Sequence, residues 1–153
     1  MKIFLGGTCP RDKEDFDYRK KLIPLLDKYN IKYFNPVVED WTTDCIEIEN
    51  KEKEICNVHL YLIAPNMKGV YSIAEAFGSL IENKKFEEKD DSEPRFTLFG
   101  YIKEIKDNSF DKGQIKSLDA SLELFYNCGG AGTLVLDSED DINEDLIEQI
   151  FVK

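Results

Sequence analysis

The sharpest chemical signal in the sequence is Ser72-Ile73-Ala74-Glu75, a Ser-x-x-Glu spacing that predicts the start of a helix. Read as a capping box, it puts Ser72 at the N-cap with Glu75 reaching back to the Ser72 amide. The same geometry can do chemistry, because a carboxylate in a first helical turn sits at the positive end of the helix dipole. Fixed beside a sugar, such a group can attack the anomeric carbon or stabilise an oxocarbenium ion. A second signal is Gly6-Gly7-Thr8, where glycine lets a ligand or another backbone approach closely and amides opening a helix favour anions. It is neither a dinucleotide fingerprint nor a Walker loop, and a tight strand-to-helix turn explains it equally well. A third is Asn35-Pro36-Val37-Val38-Glu39-Asp40-Trp41. Trp41 can stack on a planar ring, while Asp40 or Glu39 can bind hydroxyls or donate a proton. The competing reading is a solvated acidic turn with Trp41 packed beneath it.

Cys9, Cys45, Cys56 and Cys128 and the single histidine, His59, form the only candidate metal set. Cys56-x-x-His59 is half of a zinc pattern with no second half nearby, and on a strand its two side chains would point to opposite faces. Buried or half-buried thiols are the preferred reading, and neither metal nor disulfide is expected.

These residues need a scaffold, and the alternation of hydrophobic periods supplies one. Residues 2–5 read as a strand, 13–29 as a helix kinked at Pro24, and 31–36 as a second strand stopped by Asn-Pro. A charged helix over 45–55 follows, with Asp44-x-x-Glu47 as its capping box. Residues 58–64 are apolar almost throughout, as expected of a central parallel strand covered on both faces. Ser72 opens a helix to about Lys85, and 84–94 reads as a solvated loop. A strand over 96–102, a helix over 114–126, a strand over 133–136 and a helix over 141–151 complete the chain. The expectation is one α/β domain over 1–153: a doubly wound, five-stranded parallel sheet with helices on both faces. Such sheets bind ligands at the carboxyl ends of their strands, which gathers Gly6-Gly7-Thr8, 35–41, 65–75 and the loop after Ile102 around one crevice.

Composition bounds the function. The 153 residues carry a formal net charge of −11, which argues against a nucleic-acid polymer as partner, since phosphate neutralisation needs a basic face. Ten Phe and seven Tyr exclude a disordered acidic tail. No apolar run approaches the roughly 20 residues that cross a bilayer, and the first residues read as a strand rather than a leader, so a soluble, cytoplasmic domain without membrane partners is expected.

Taken together, Phe4-Leu5-Gly6-Gly7-Thr8, Asp17-Tyr18-Arg19, Phe34 to Trp41, Glu49, Cys56 to Tyr61 and Gly69-Val70-Tyr71-Ser72-Ile73-Ala74-Glu75 resemble the nucleoside 2-deoxyribosyltransferase-like family. The resemblance covers the first half of the chain well and the second half by pattern only. It implies a flavodoxin-like sheet, no cofactor, and homo-oligomers built on a dimer. It further implies cleavage of an N-glycosidic bond in a small-molecule nucleoside or nucleotide. A glutamate matching Glu75 attacks C1′ of a 2′-deoxynucleoside, expels the base, and passes the sugar to another base or to water. Gly6, Gly7, Thr8, Asn35, Asp40, Trp41, Asn57, Gly69 and Ser72 are the implied binding residues. Two departures stand out. Phe4 occupies a position where the well-studied transferases carry a tyrosine that orients the nucleophile, and Asn57 stands where they carry an aspartate. Lys68 or Gly69 also falls near an acidic residue that assists the leaving base in some members. Asp40, Glu49 or a neighbouring subunit could substitute. Three readings follow: a deoxyribosyltransferase, a 2′-deoxynucleoside 5′-monophosphate N-hydrolase whose phosphate would meet Arg11, Lys13 or Arg19, and a protein that binds nucleotides without turnover.

Overall fold

The computed structural model describes residues 1–88 and 94–152. Its strands and helices alternate: β1 Lys2–Gly7, α1 Arg19–Lys28, β2 Lys32–Phe34, α2 Asp44–Ile55, β3 Val58–Ile63, α3 Tyr71–Glu87 and β4 Phe96–Ile105. Then come β5 Asn108–Ser109, α4 Lys112–Asn127, β6 Gly132–Ser138 and α5 Glu144–Ile147. Five strands form a parallel sheet in the order β2-β1-β3-β4-β6. This is the strand order of flavodoxin-like folds, with the switch between β1 and β3. The sixth, β5, is a two-residue antiparallel return on the end of β4, with Glu104 opposite Ser109.

The period-2 alternation of buried side chains divides the core into two layers, one on each face of the sheet. Ile3, Leu5, Val58, Leu60 and Leu62 pack with Leu22 and Leu26 of α1 and Ile147 of α5. Phe4, Tyr61, Ile63, Phe99 and Tyr101 pack on the opposite face with Ala76 and Leu80 of α3 and Leu118, Leu122 and Phe125 of α4. Every residue of β3 is buried, as its unbroken apolar run requires.

Several boundaries differ from the sequence reading. Helix α1 starts at Arg19 rather than near Lys13 and runs through Pro24, because residues before it fold into turns that bury Asp17, Tyr18 and Arg19. The two expected capping boxes do not form. Helix α2 has Thr43 at its N-cap and α3 has Val70, neither with a side-chain cap. Ser72 is thus already inside the first turn. True boxes occur instead at Asp111 with Gln114, which opens α4, and at Ser138 with Asp141. The helix expected over 141–151 is split into α5, capped by Asn143, and a π-helical turn over Glu148–Val152. Helix α3 continues through 84–87, so the expected charged loop begins later, and its residues 89–93 lie outside the described residues.

Candidate active site

Gly6 and Gly7 end β1 and leave the sheet where α2 and α3 rise over it. A Cβ at Gly6 would overlap the Tyr61 ring, and one at Gly7, whose φ is +106°, would overlap the Leu62 carbonyl. Glycine is therefore required here by the close approach of β3. The chain after Gly7 does not turn straight into a helix. The Thr8 amide is spent on the Leu62 carbonyl at 3.0 Å, and the Thr8 hydroxyl accepts from the Ala64 amide at 3.0 Å.

Asp17-Tyr18-Arg19 clamps this backbone from the other side. The buried Arg19 donates to the carbonyls of Leu5 and Thr8, both at 2.8 Å, and pairs with Asp17 at 2.9 Å. The Tyr18 hydroxyl donates to the Gly6 carbonyl at 2.5 Å, and burial pushes its pKa up. Ser72 adds a third tie, donating from its hydroxyl to the Gly7 carbonyl at 2.9 Å. Its oxygen thus fixes the start of α3 to the end of β1 instead of capping its own helix.

Over this clamp opens a cleft of ≈ 530 Å³. One wall is β1 and the first turns of α3, with Phe4, Gly6, Gly7, Tyr71, Ser72 and Glu75. The other is the loop after β2 together with α2, with Pro36, Val37, Val38, Trp41, Ile46, Glu49, Asn50 and Lys53. Across the cleft Lys53 forms an ion pair with Glu75, and its ammonium lies 4.9 Å from the centre of the Phe4 ring. The two side chains are 21% and 15% exposed, so solvent screens the pair only in part. A second cleft of ≈ 690 Å³ lies on the far side of the same pair, between α2 and α3, and shares Asn50, Lys53, Tyr71 and Glu75 with the first.

The last turn of α2, which carries Lys53, is fastened from below. His59 Nε2 lies 2.9 Å from the Lys53 carbonyl oxygen, and Arg95 donates to the same oxygen at 3.3 Å and to the Glu54 carbonyl. Burial lowers the His59 pKa to about 4, with the Lys53 ammonium acting in the same direction. The neutral ring therefore donates from Nε2. Glu49, one turn earlier, is half-buried, and its pKa is raised by burial first, with the nearby Glu75 carboxylate adding to the rise.

Of the residues expected at the site, Gly6, Gly7, Trp41, Ser72 and Glu75 line the cleft. Trp41 is 60% exposed at its rim rather than packed beneath a turn. Asn35 accepts from the Val37 amide at 3.0 Å and shapes the wall without lining it, and Asp40 is exposed outside the lining. Thr8 and Gly69 border a separate recess of ≈ 170 Å³ with Ser72 and Tyr71. Asn57 stands before β3 and accepts from the Lys2 amide at 3.3 Å, which puts it at the amino ends of β1 and β3, away from the cleft. Lys53 and the clamping role of Tyr18 and Arg19 escaped the sequence reading. The Glu49-x-x-x-Lys53 spacing, which puts both side chains on one helix face, was the available signal for Lys53.

Among the described residues no group of three or more His, Cys, Asp or Glu could hold a metal ion. No helix among them is long and apolar enough to cross a membrane.

No curated protein and no solved structure matches this chain. A family model described as nucleoside 2-deoxyribosyltransferase like matches residues 1–86, the stretch that builds β1 through α3 and carries every residue lining the cleft. That match spans more than half of the 153 residues, and the chain belongs to the nucleoside 2-deoxyribosyltransferase-like family.

Proposed function

We propose that the protein cleaves the N-glycosidic bond of 2′-deoxynucleosides, with Glu75 as the nucleophile. The observation that carries this reading is the placement of Glu75 in the wall of the cleft built by β1 and α3, fixed there by Lys53 and by the Ser72 tie to β1. A Glu75 oxygen bonds to C1′ as the C1′–N bond breaks and the base departs, leaving a deoxyribosyl-enzyme ester. A second base or water then attacks C1′ and returns the electron pair to Glu75. Lys53 takes over the orienting role that a tyrosine hydroxyl would play at Phe4: its ammonium sits on the Phe4 ring and holds the carboxylate directly. The exposed Trp41 indole at the rim offers a face on which a base can stack.

Free nucleosides fit this site better than their 5′-monophosphates. The Thr8 amide is already bonded, Arg19 is engaged by Asp17 and two carbonyls, and Lys13 pairs with Glu39 on the surface. Incubation with a panel of deoxynucleosides and their monophosphates, with free base followed by chromatography, tests the reading. Release by the wild type and its loss in Glu75→Ala are expected. Ligand binding without base release would make this a binding protein instead, and equal release by the variant would remove Glu75 from the chemistry.

A further inference from the structure

A purine or pyrimidine leaves poorly as an anion, so cleaving its glycosidic bond calls for a proton donor as well as a nucleophile. Asp40 is exposed and lies outside the cleft lining, which sets it aside. Glu49 is different. It lines the cleft from α2, on the wall opposite Glu75, is half-buried, and has no hydrogen bond or ion pair among the described residues. The charged and titratable groups facing it are Lys53 on its own helix, Glu75 on α3, Arg19 at the start of α1 and Cys9 in the loop after β1. Burial and Glu75 favour its protonated form, while Lys53 and Arg19 oppose them. The two carboxylates of the cleft thus have different surroundings, one in an ion pair and the other unpaired and shielded, the kind of asymmetry that separates a nucleophile from an acid.

We propose that Glu49 is the general acid of this cleft, a role that rests on Glu75 being the nucleophile. As the C1′–N bond breaks, its electron pair stays on the base nitrogen, and the Glu49 proton is delivered to the base. Glu75 Oε forms the new bond to C1′. In the second half the ionised Glu49 takes the proton of the incoming water or base as that molecule bonds to C1′. The Glu75 ester bond breaks in the same step, and its electron pair returns to the carboxylate. Both glutamates end as they began.

The test compares 2′-deoxyguanosine with 7-methyl-2′-deoxyguanosine, whose cationic base leaves as a neutral molecule and needs no proton. In single-turnover release of free base, which reads only the first half of the reaction, Glu49→Gln should slow the first substrate by about 10²- to 10⁴-fold, the usual worth of general acid catalysis, and slow the second far less. A urea unfolding midpoint equal to that of the wild type shows that the variant is folded. Wild-type activity on 2′-deoxyguanosine should fall as pH rises through the Glu49 pKa, and that limb should vanish in the variant. Equal losses on both substrates, or no loss on either, would overturn the role of Glu49 while leaving Glu75 in place. Absence of base release from either substrate by the wild type would instead overturn the Glu75 reading, and this role with it.

Discussion

Replacing His59 with glutamine removes the only imidazole in the chain while keeping a side chain that can donate to the Lys53 carbonyl. In the folded protein the His59 pKa is about 4, against 6.5 for the free side chain. Between those values the unfolded chain binds a proton that the folded chain does not. The contribution of His59 to stability is therefore intact above 6.5 and is lost as pH falls towards about 4. A fall from 6.5 to about 4, at about 1.4 kcal/mol per pH unit, amounts to about 3 kcal/mol. That is a large fraction of the roughly 5–15 kcal/mol by which a domain of this kind is stable. The ring is only 2% exposed, so solvent does little to relieve the cost of charging it. Urea unfolding of wild type and His59→Gln across this pH range measures the effect. The carboxylates titrate in both proteins and cancel in the difference, so the wild type should lose about 3 kcal/mol more than the variant between pH 7 and pH 4. Base release should fail in parallel, because an imidazolium under the last turn of α2 would repel the ammonium that holds Glu75. Parallel stability curves for the two proteins would refute the buried, neutral histidine and its support of Lys53.

Two further outcomes follow from the same geometry. Lys53→Met keeps the aliphatic cover over Phe4 but removes the charge, and should lower kcat for base release by roughly 10- to 100-fold, about 1–3 kcal/mol, with KM little changed. Adding Glu75→Ala should then cost no more than Glu75→Ala alone, whereas an unchanged kcat in Lys53→Met would show that Glu75 is oriented by something else. We also propose a homodimer, since Val70 and Tyr71 at the start of α3 are 72% and 74% exposed, and Ile46, Ile48 and Ile55 of α2 and Ile81 of α3 are exposed too. Light scattering should give the mass of two chains, and a mass of 17.7 kDa at assay concentration would exclude the dimer.

The scaffold was readable because burial on both faces leaves an unmistakable pattern: Val58 to Ile63 has no polar alternation except His59, and the short runs of β1 and β6 are bounded by glycines. The placement of Glu75 in the opening turns of a helix beside the end of β1 followed from the same pattern. What the pattern could not carry was tertiary competition for polar groups. Ser72 and Glu75 have the spacing of a capping box, but the Gly7 carbonyl and the Lys53 ammonium are their partners, and neither is near in sequence. The family resemblance implies a binding role for Asn57, while the register that puts Ile3 opposite Val58 places it at the amino ends of β1 and β3, away from the cleft. Lys53 was hidden in a run of charges that reads as a solvated face, and only the packing of α2 over Phe4 singles it out. The antiparallel return of β5 had no apolar signal, since both of its residues are exposed.

The order of the strands has a consequence for synthesis of the chain. Every side chain lining the cleft has been made once α3 is complete, but β3 then has a partner on only one edge. Its other edge waits for β4, whose residues arrive only after position 95, and so do the Arg95 bonds that fasten the last turn of α2. Until then six consecutive β3 residues that are buried in the finished fold present an open edge, the feature that favours pairing with a second nascent chain. The half of the molecule without cleft residues therefore supports the cleft from outside: β4 pairs the free edge of the strand that backs Gly6 and Gly7, and Arg95 fastens the turn that carries Lys53.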